Sequence, residues 1–160
     1  MTEIARIVDQ LDREYAGEPW HGSPLMAILD GLRAEQAAAK PLPGAHSIWE
    51  LVLHITAWKG EVRRRLSGAP AGEPEDGDWP AVGEPTAARW KEALARLRAA
   101  HEQLTAAVRQ LPPDRLFMPT NDSRESEVGA GVTCYELLHG IVQHDVYHSG
   151  QIAILKKGLR

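Results

Sequence analysis

The sequence predicts an all-α fold, a four-helix bundle with long crossover connections, and three observations carry that prediction. Apolar residues recur at spacings of three and four along most of the chain, the period of a helix with one buried face. Ser47-Ile48-Trp49-Glu50 and Thr133-Cys134-Tyr135-Glu136 match the capping box, in which a hydroxyl and a carboxylate three residues apart satisfy free amides at a helix start. β-Branched residues are too sparse to build a sheet. With 160 residues and no internal repeat, the chain fits one domain, 1–160, large enough to bury a core.

Residues 3–16 place Ile4, Ile7, Val8, Leu11 and Tyr15 on one face, which predicts the first helix. A loop through Gly17, Pro19 and Gly22 leads to a helical stretch expected near 24–38, ended by Lys40-Pro41-Leu42-Pro43-Gly44. The second main helix starts at the Ser47 box, runs to about Leu66 and stops at Gly68. Residues 67–85 hold four prolines, four glycines and five acids, too many breakers for regular structure. So long a connection serves as a crossover, a lid or a disordered segment. The third helix, about 86–110, carries Trp90, Leu94, Leu97, His101, Leu104, Val108 and Leu111 at alternating spacings of four and three, a bundle seam. Pro112-Pro113 closes it, and an irregular stretch, 119–132, precedes the last helix at 134–157.

Composition excludes several classes of function. Hydrophobic residues at 43% and charged residues at 25% are ordinary for a globular protein, and no apolar run approaches a membrane span. The first residues, Met-Thr-Glu-Ile-Ala-Arg, show no basic segment leading into an apolar one, so no signal peptide is expected and the cytoplasm is the default location. One cysteine, Cys134, allows no internal disulfide. Eighteen basic against 22 acidic residues give a formal charge of -4, which argues against a nucleic-acid partner. The one basic cluster, Arg63-Arg64-Arg65, falls in the last turn of a helix, where the macrodipole favours cations.

The chemistry concentrates in histidines. His144 and His148 stand four apart on the last helix, so both imidazoles can address one ion. They share the stripe Ile141, His144, His148, Ile152 and Leu155, and His54 lies within the stripe Leu51, His54, Ile55, Trp58 and Val62 of the second helix. Three imidazoles from two helices can thus converge inside the bundle, where unpartnered burial is unfavourable and a metal ion would offset it. The bland alternative is a set of core histidines satisfied by hydrogen bonds. Three neutral nitrogens suit zinc, nickel, cobalt, iron or copper and fit magnesium or calcium poorly. Zinc or nickel is the first expectation for one divalent transition metal, with iron, cobalt or manganese behind them. Three protein ligands leave a coordination position open, as catalytic rather than structural zinc sites do.

Four segments then carry a family resemblance. Trp20-His21-Gly22, Pro43-Gly44-Ala45-His46-Ser47-Ile48-Trp49-Glu50, Leu53-His54-Ile55-Thr56-Ala57-Trp58 and His144-Asp145-Val146-Tyr147-His148-Ser149-Gly150-Gln151-Ile152 resemble, in order, the DinB/YfiT-like superfamily. The resemblance implies a four-helix bundle with a long crossover, often a homodimer. It also implies a divalent metal held by one histidine of the second helix and an H-x-x-x-H pair of the fourth, a role that falls on His54, His144 and His148. Some relatives are thiol-dependent transferases or isomerases using a low-molecular-weight thiol, and others are proposed hydrolases.

The remaining candidates have weaker claims. His21, in its loop, offers a fourth ligand or a proton donor, although loop histidines are mostly just exposed. His101 on the third-helix seam reads as a polar register residue, and His46 and His139 as structural or surface residues. Asp145 occupies the place of the glutamate in an H-E-x-x-H metalloprotease, yet its side chain is shorter and no downstream third ligand follows. Orientation of an imidazole is its better role, shared with Gln151. Cys134 lies about 15 Å along the helix from His144 at 1.5 Å per residue, too far to ligate the same ion. Trp49, Trp58 and Trp90 read as core, Trp58 also as a pocket wall, and Trp20 and Trp79 as loop residues that pack on the bundle or line an entrance. The functional expectation is a metal-dependent hydrolase or thiol transferase acting on a small molecule. The alternative is a non-catalytic stress or interaction protein with a structural or sensory metal site.

Overall fold

The helix starts expected from residue type carry the hydrogen bonds those types imply. In the computed structural model, which describes residues 1–121 and 132–159, α1 spans Glu3–Tyr15, α2 Leu25–Leu29, α3 Ala34–Ala38, α4 Ile48–Leu66, α5 Ala87–Gln110 and α6 Cys134–Gly158. Ser47 Oγ accepts the Glu50 amide at 3.1 Å while Glu50 Oε2 accepts the Ser47 amide at 2.6 Å. Thr133 and Glu136 repeat the exchange at the head of α6, at 3.2 and 2.7 Å. Among the described residues the β-structure is limited to an isolated bridge between Pro119 and Thr133. No described helix is long and apolar enough to cross a membrane. Of the stretch expected to be irregular at 119–132, residues 122–131 lie outside the described residues.

The helical stretch expected at 24–38 is two short helices instead. Gly31, at φ +73°, takes a left-handed conformation that ends helical continuity. The carbonyls freed by the break find partners elsewhere: Leu32 O accepts Trp90 Nε1 at 2.9 Å, and Ile28 O and Asp30 O both accept Lys156 Nζ at 2.7 Å. Periodicity alone cannot show that a turn is repaid by side chains from α5 and α6.

The four longer helices are neighbours in the cyclic order α1, α5, α4, α6. Trp49 meets Trp90 near the starts of α4 and α5 (5.0 Å between rings), and Val62 and Leu66 join Leu104 and Val108 near their ends, so these two helices run parallel. His54 faces His148 and Lys59 faces Asp145, which sets α6 antiparallel to α4. A parallel α4–α5 pair demands that residues 67–86 travel back along the bundle, and this crossover is tied down on the way. The Glu61 carboxylate holds Arg64 and Arg65 and accepts the Gly72 amide at 3.0 Å, and Arg96 pairs with Asp76.

The interior falls into two apolar clusters with a polar belt between them. Leu51, Ile55, Trp90, Leu97, Ile152 and Leu155 belong to one cluster, and Leu11, Val62, Leu104, Leu138 and Ile141 to the other. At the level between them every long helix contributes a buried polar side chain: Glu14, Lys59, His101, and Asp145 with Ser149.

Candidate metal centre

His54 projects from the middle of α4, and His144 and His148 from successive turns of α6. One ring nitrogen of each lies within 4.8 Å of the others. The ring centroids are 4.9 Å apart for His54 and His144, 4.7 Å for His54 and His148, and 4.4 Å for His144 and His148. His54 and His148 are buried, and His144 is half-buried at the edge. The stripe expected on α6 is therefore rotated. Asp145 and Ser149 lie in the core, and His144 is moved toward solvent.

Each imidazole is oriented through Nδ1. His54 Nδ1 donates to the Asp78 carbonyl at 2.7 Å, His148 Nδ1 to Gln151 Oε1 at 2.7 Å, and His144 Nδ1 faces Asp145 Oδ1 at 3.3 Å. A neutral imidazole that donates from Nδ1 presents a lone pair at Nε2. The Nε2 atoms of His54 and His144 stand 3.0 Å apart, so two lone pairs face one another. A hydrogen bond between them would require a second proton on one ring. Burial, reinforced by the neighbouring imidazoles, holds His54 and His148 below the ordinary imidazole range. A cation satisfies all three nitrogens at once. Nitrogens around a tetrahedral zinc stand about 3.4 Å apart at bonds of ~2.05 Å, so the donor set fits a transition metal. An oxygen acceptor on the other ring nitrogen is also the usual support for a metal-ligating histidine.

Behind the histidines lies the polar belt. Asp145 is fully buried; Lys59, itself inaccessible to solvent, binds its Oδ2 while its Oδ1 faces His144. Burial alone would raise the Asp145 carboxyl, but the charge of Lys59 and the hydrogen bonds from His144 and Lys59 outweigh it and hold the group below the ordinary carboxylate range. Glu14 is placed less well. Ser149 donates to its Oε1 at 2.6 Å while Oε2 is buried without a partner, and burial together with the Asp145 charge lifts it to about 7.

The crossover forms the outer wall. Trp79 stacks on His54 at 4.0 Å and 10° and on His46 at 3.5 Å and 3°, a three-ring ladder over one face of the site. Trp58 Nε1 donates to Asp78 Oδ1 at 2.7 Å, fixing the residue whose carbonyl orients His54. The sequence offered only hints of this wall. Trp79 was expected as a loop residue that packs on the bundle or lines an entrance, and it packs on His54; His46 was expected as a structural or surface residue, and it stacks on Trp79. Lys59 left a clearer signal, because it sits four after Ile55 and three before Val62 on an apolar face.

Other candidates stand apart. His21 is exposed between α1 and α2 and is not among the gathered residues, and Trp20 beside it is fully exposed. His101 faces α1, with Nε2 3.0 Å from Asp12 Oδ1 and its ring stacked on Tyr15 at 4.0 Å. His139 lies near Glu3 at 3.8 Å, and Cys134 is buried at the head of α6, its thiol pushed up by burial.

No curated protein and no solved structure matches this chain. A family model does match, over residues 8–152, a span that holds all three histidines, the crossover and the belt. By that match the chain belongs to the DinB superfamily.

Proposed function

We propose that the protein holds one divalent transition metal, zinc or nickel before iron, cobalt or manganese, on Nε2 of His54, His144 and His148, and uses it on a small molecule. The reaction class is hydrolysis or transfer to a low-molecular-weight thiol. The observation that supports this most is the shared orientation: three Nδ1 atoms engaged with oxygen atoms, Nε2 of His54 and His144 left facing one another at 3.0 Å, and one ring nitrogen of all three residues gathered within 4.8 Å. Bound there, a divalent ion supplies Lewis acidity to a substrate oxygen or water, or holds a thiolate sulfur.

The chain's own residues do the rest. Asp145 and Gln151 fix the rings of His144 and His148, and the Asp78 carbonyl fixes His54. Both oxygens of Asp145 face partners, Lys59 and His144, which favours an orienting role over proton abstraction from a substrate. Trp79 excludes water from one face of His54, while half-buried His144 leaves an approach on the other side. The expected homodimer remains part of this reading, carried by the family resemblance.

The decisive experiment is metal analysis of protein purified without an affinity tag, on the wild type and on His54→Ala, His144→Ala and His148→Ala. About one equivalent in the wild type and its loss in every variant is expected. It would justify assays with ester, amide and thiol-transfer substrates. A wild type that takes up no divalent ion when supplied would reduce the triad to core histidines.

A further inference from the structure

Among the described residues α6 packs on α1, α2, α4 and the 3-10 turn Pro113–Phe117, and it keeps one side outward. The outward positions recur at alternating spacings of four and three: Glu136, Gly140, Gln143, Tyr147, Gly150, Ile154 and Lys157. That is the period of a helix–helix seam. Between Glu136 and Lys157 the seam carries no charge, and Tyr147 and Ile154 stand 65% and 63% exposed. The outward side of α5 is an ordinary solvated one by contrast, with Lys91, Arg98, Glu102 and Arg109 among its exposed residues.

Gly140 and Gly150 are not required by the packing of the described residues. Glycine weakens a helix interior, yet neither residue has a positive φ, and a Cβ placed on either would meet nothing beyond its own turn of helix within 4 Å. Bare backbone in the middle of an outward seam instead admits the close approach of a second helix. The seam also reads alike from both ends. Gly140 and Ile154 lie seven residues either side of Tyr147, and the acid Glu136 and the base Lys157 lie eleven and ten away. An antiparallel copy of α6 laid on it about Tyr147 sets Ile154 over the partner's Gly140 and Lys157 beside the partner's Glu136. A two-fold contact needs this self-complementarity of size and charge, and an unrelated partner gives no reason for it.

We propose that the outward face of α6 is an interface with a second copy of this chain, packed antiparallel across a two-fold axis at Tyr147. The inference rests on the proposed function for the existence of a homodimer and adds its surface and register; the metal ion plays no part in it.

Sedimentation equilibrium of the full chain gives the dissociation constant of the dimer. Gly140→Ile fills the seat of the partner's Ile154 and should weaken the dimer by about tenfold or more, because an overfilled contact is unfavourable and occurs twice across a two-fold axis. The same substitution should leave helix content by circular dichroism unchanged. Adding Ile154→Gly moves the large residue to the opposite member of each pair and should restore most of the affinity, a recovery that a folding defect would not give. A dimer that Gly140→Ile leaves intact, or a weakened dimer that the exchange fails to restore, overturns this interface while the homodimer stands. A wild-type chain that stays monomeric throughout the concentration series overturns the interface and the homodimer together. The metal analysis of the three histidine variants is independent of either result.

Discussion

Two groups of polar side chains share the middle of this bundle and meet the unfavourable burial of polar atoms in opposite ways. The belt of Lys59, Asp145, Glu14 and Ser149 supplies both signs of charge and its own donors, so the chain largely satisfies itself there. In the histidine group the Nδ1 atoms face oxygens and Nε2 of His54 and His144 face one another at 3.0 Å, an arrangement compatible with a metal ion as their partner. Asp145 joins the two, with one oxygen to Lys59 and the other toward His144. The contrast separates polar burial that the chain satisfies from within from polar burial that, on the proposed function, a bound ion would satisfy.

The largest expected effect breaks the belt. Lys59→Met leaves the Asp145 carboxylate buried without its counter-ion and should destabilise the fold by about 3–5 kcal/mol in urea denaturation. Lys59→Met/Asp145→Leu, which removes both charges, should recover most of that loss and still bind metal more weakly, because His144 loses its orienting oxygen. Equal stability of the single and double variants would mean that the two charges are not coupled.

A smaller effect belongs to the histidine side alone. Gln151→Ala removes the acceptor of His148 Nδ1 on a half-buried residue, so metal affinity should fall about tenfold to a hundredfold in competition with a chelator. Thermal stability of the metal-free protein should hardly move. A fall in stability with unchanged metal affinity would place Gln151 in the belt's class.

Glu14 gives the belt a pH signature. Its folded pKa of about 7 exceeds its ordinary value of 4.5, so its contribution to stability is fully present below 4.5 and is lost as pH rises through 7. Glu14→Gln does not titrate. Its stability relative to wild type should therefore rise across that window, by about 3 kcal/mol at most. A flat difference between pH 4 and pH 8 would show that Glu14 titrates normally.

The smallest effect calibrates the rest. Arg96 and Asp76 form an ion pair like that of Lys59 and Asp145, but their side chains are 53% and 55% exposed against 0% and 1%. Water screens the former, so Arg96→Ala should change stability by less than about 0.5 kcal/mol.

Most of the helical framework was legible in the chain, because capping boxes and apolar period are interactions among residues three or four apart. The break at Gly31 was missed for a complementary reason: its freed carbonyls are satisfied by Trp90 and Lys156, which no local window contains. Of the histidine group, His144 and His148 announce themselves by spacing, and His54 by its place on an apolar stripe. Asp145 was placed beside the core stripe rather than in it. A turn of 100° per residue turns a small error in the stripe's centre into an exchange of buried and edge positions.

The sequence by itself thus determined where the four long helices begin, which faces turn inward to within one position on α6, and which imidazoles share a side, since local geometry decides each of these. Only the tertiary structure decided that Lys59 answers Asp145 from 86 residues away, that Asp78 and Trp79 of the crossover close over His54, and that Nε2 of His54 and Nε2 of His144 face one another. Those pairings depend on how helices and a 67–86 crossover of irregular chain are laid side by side. Long-range contact satisfies buried polar groups one by one, and the spacing along the chain carries no record of which remote partner each will find.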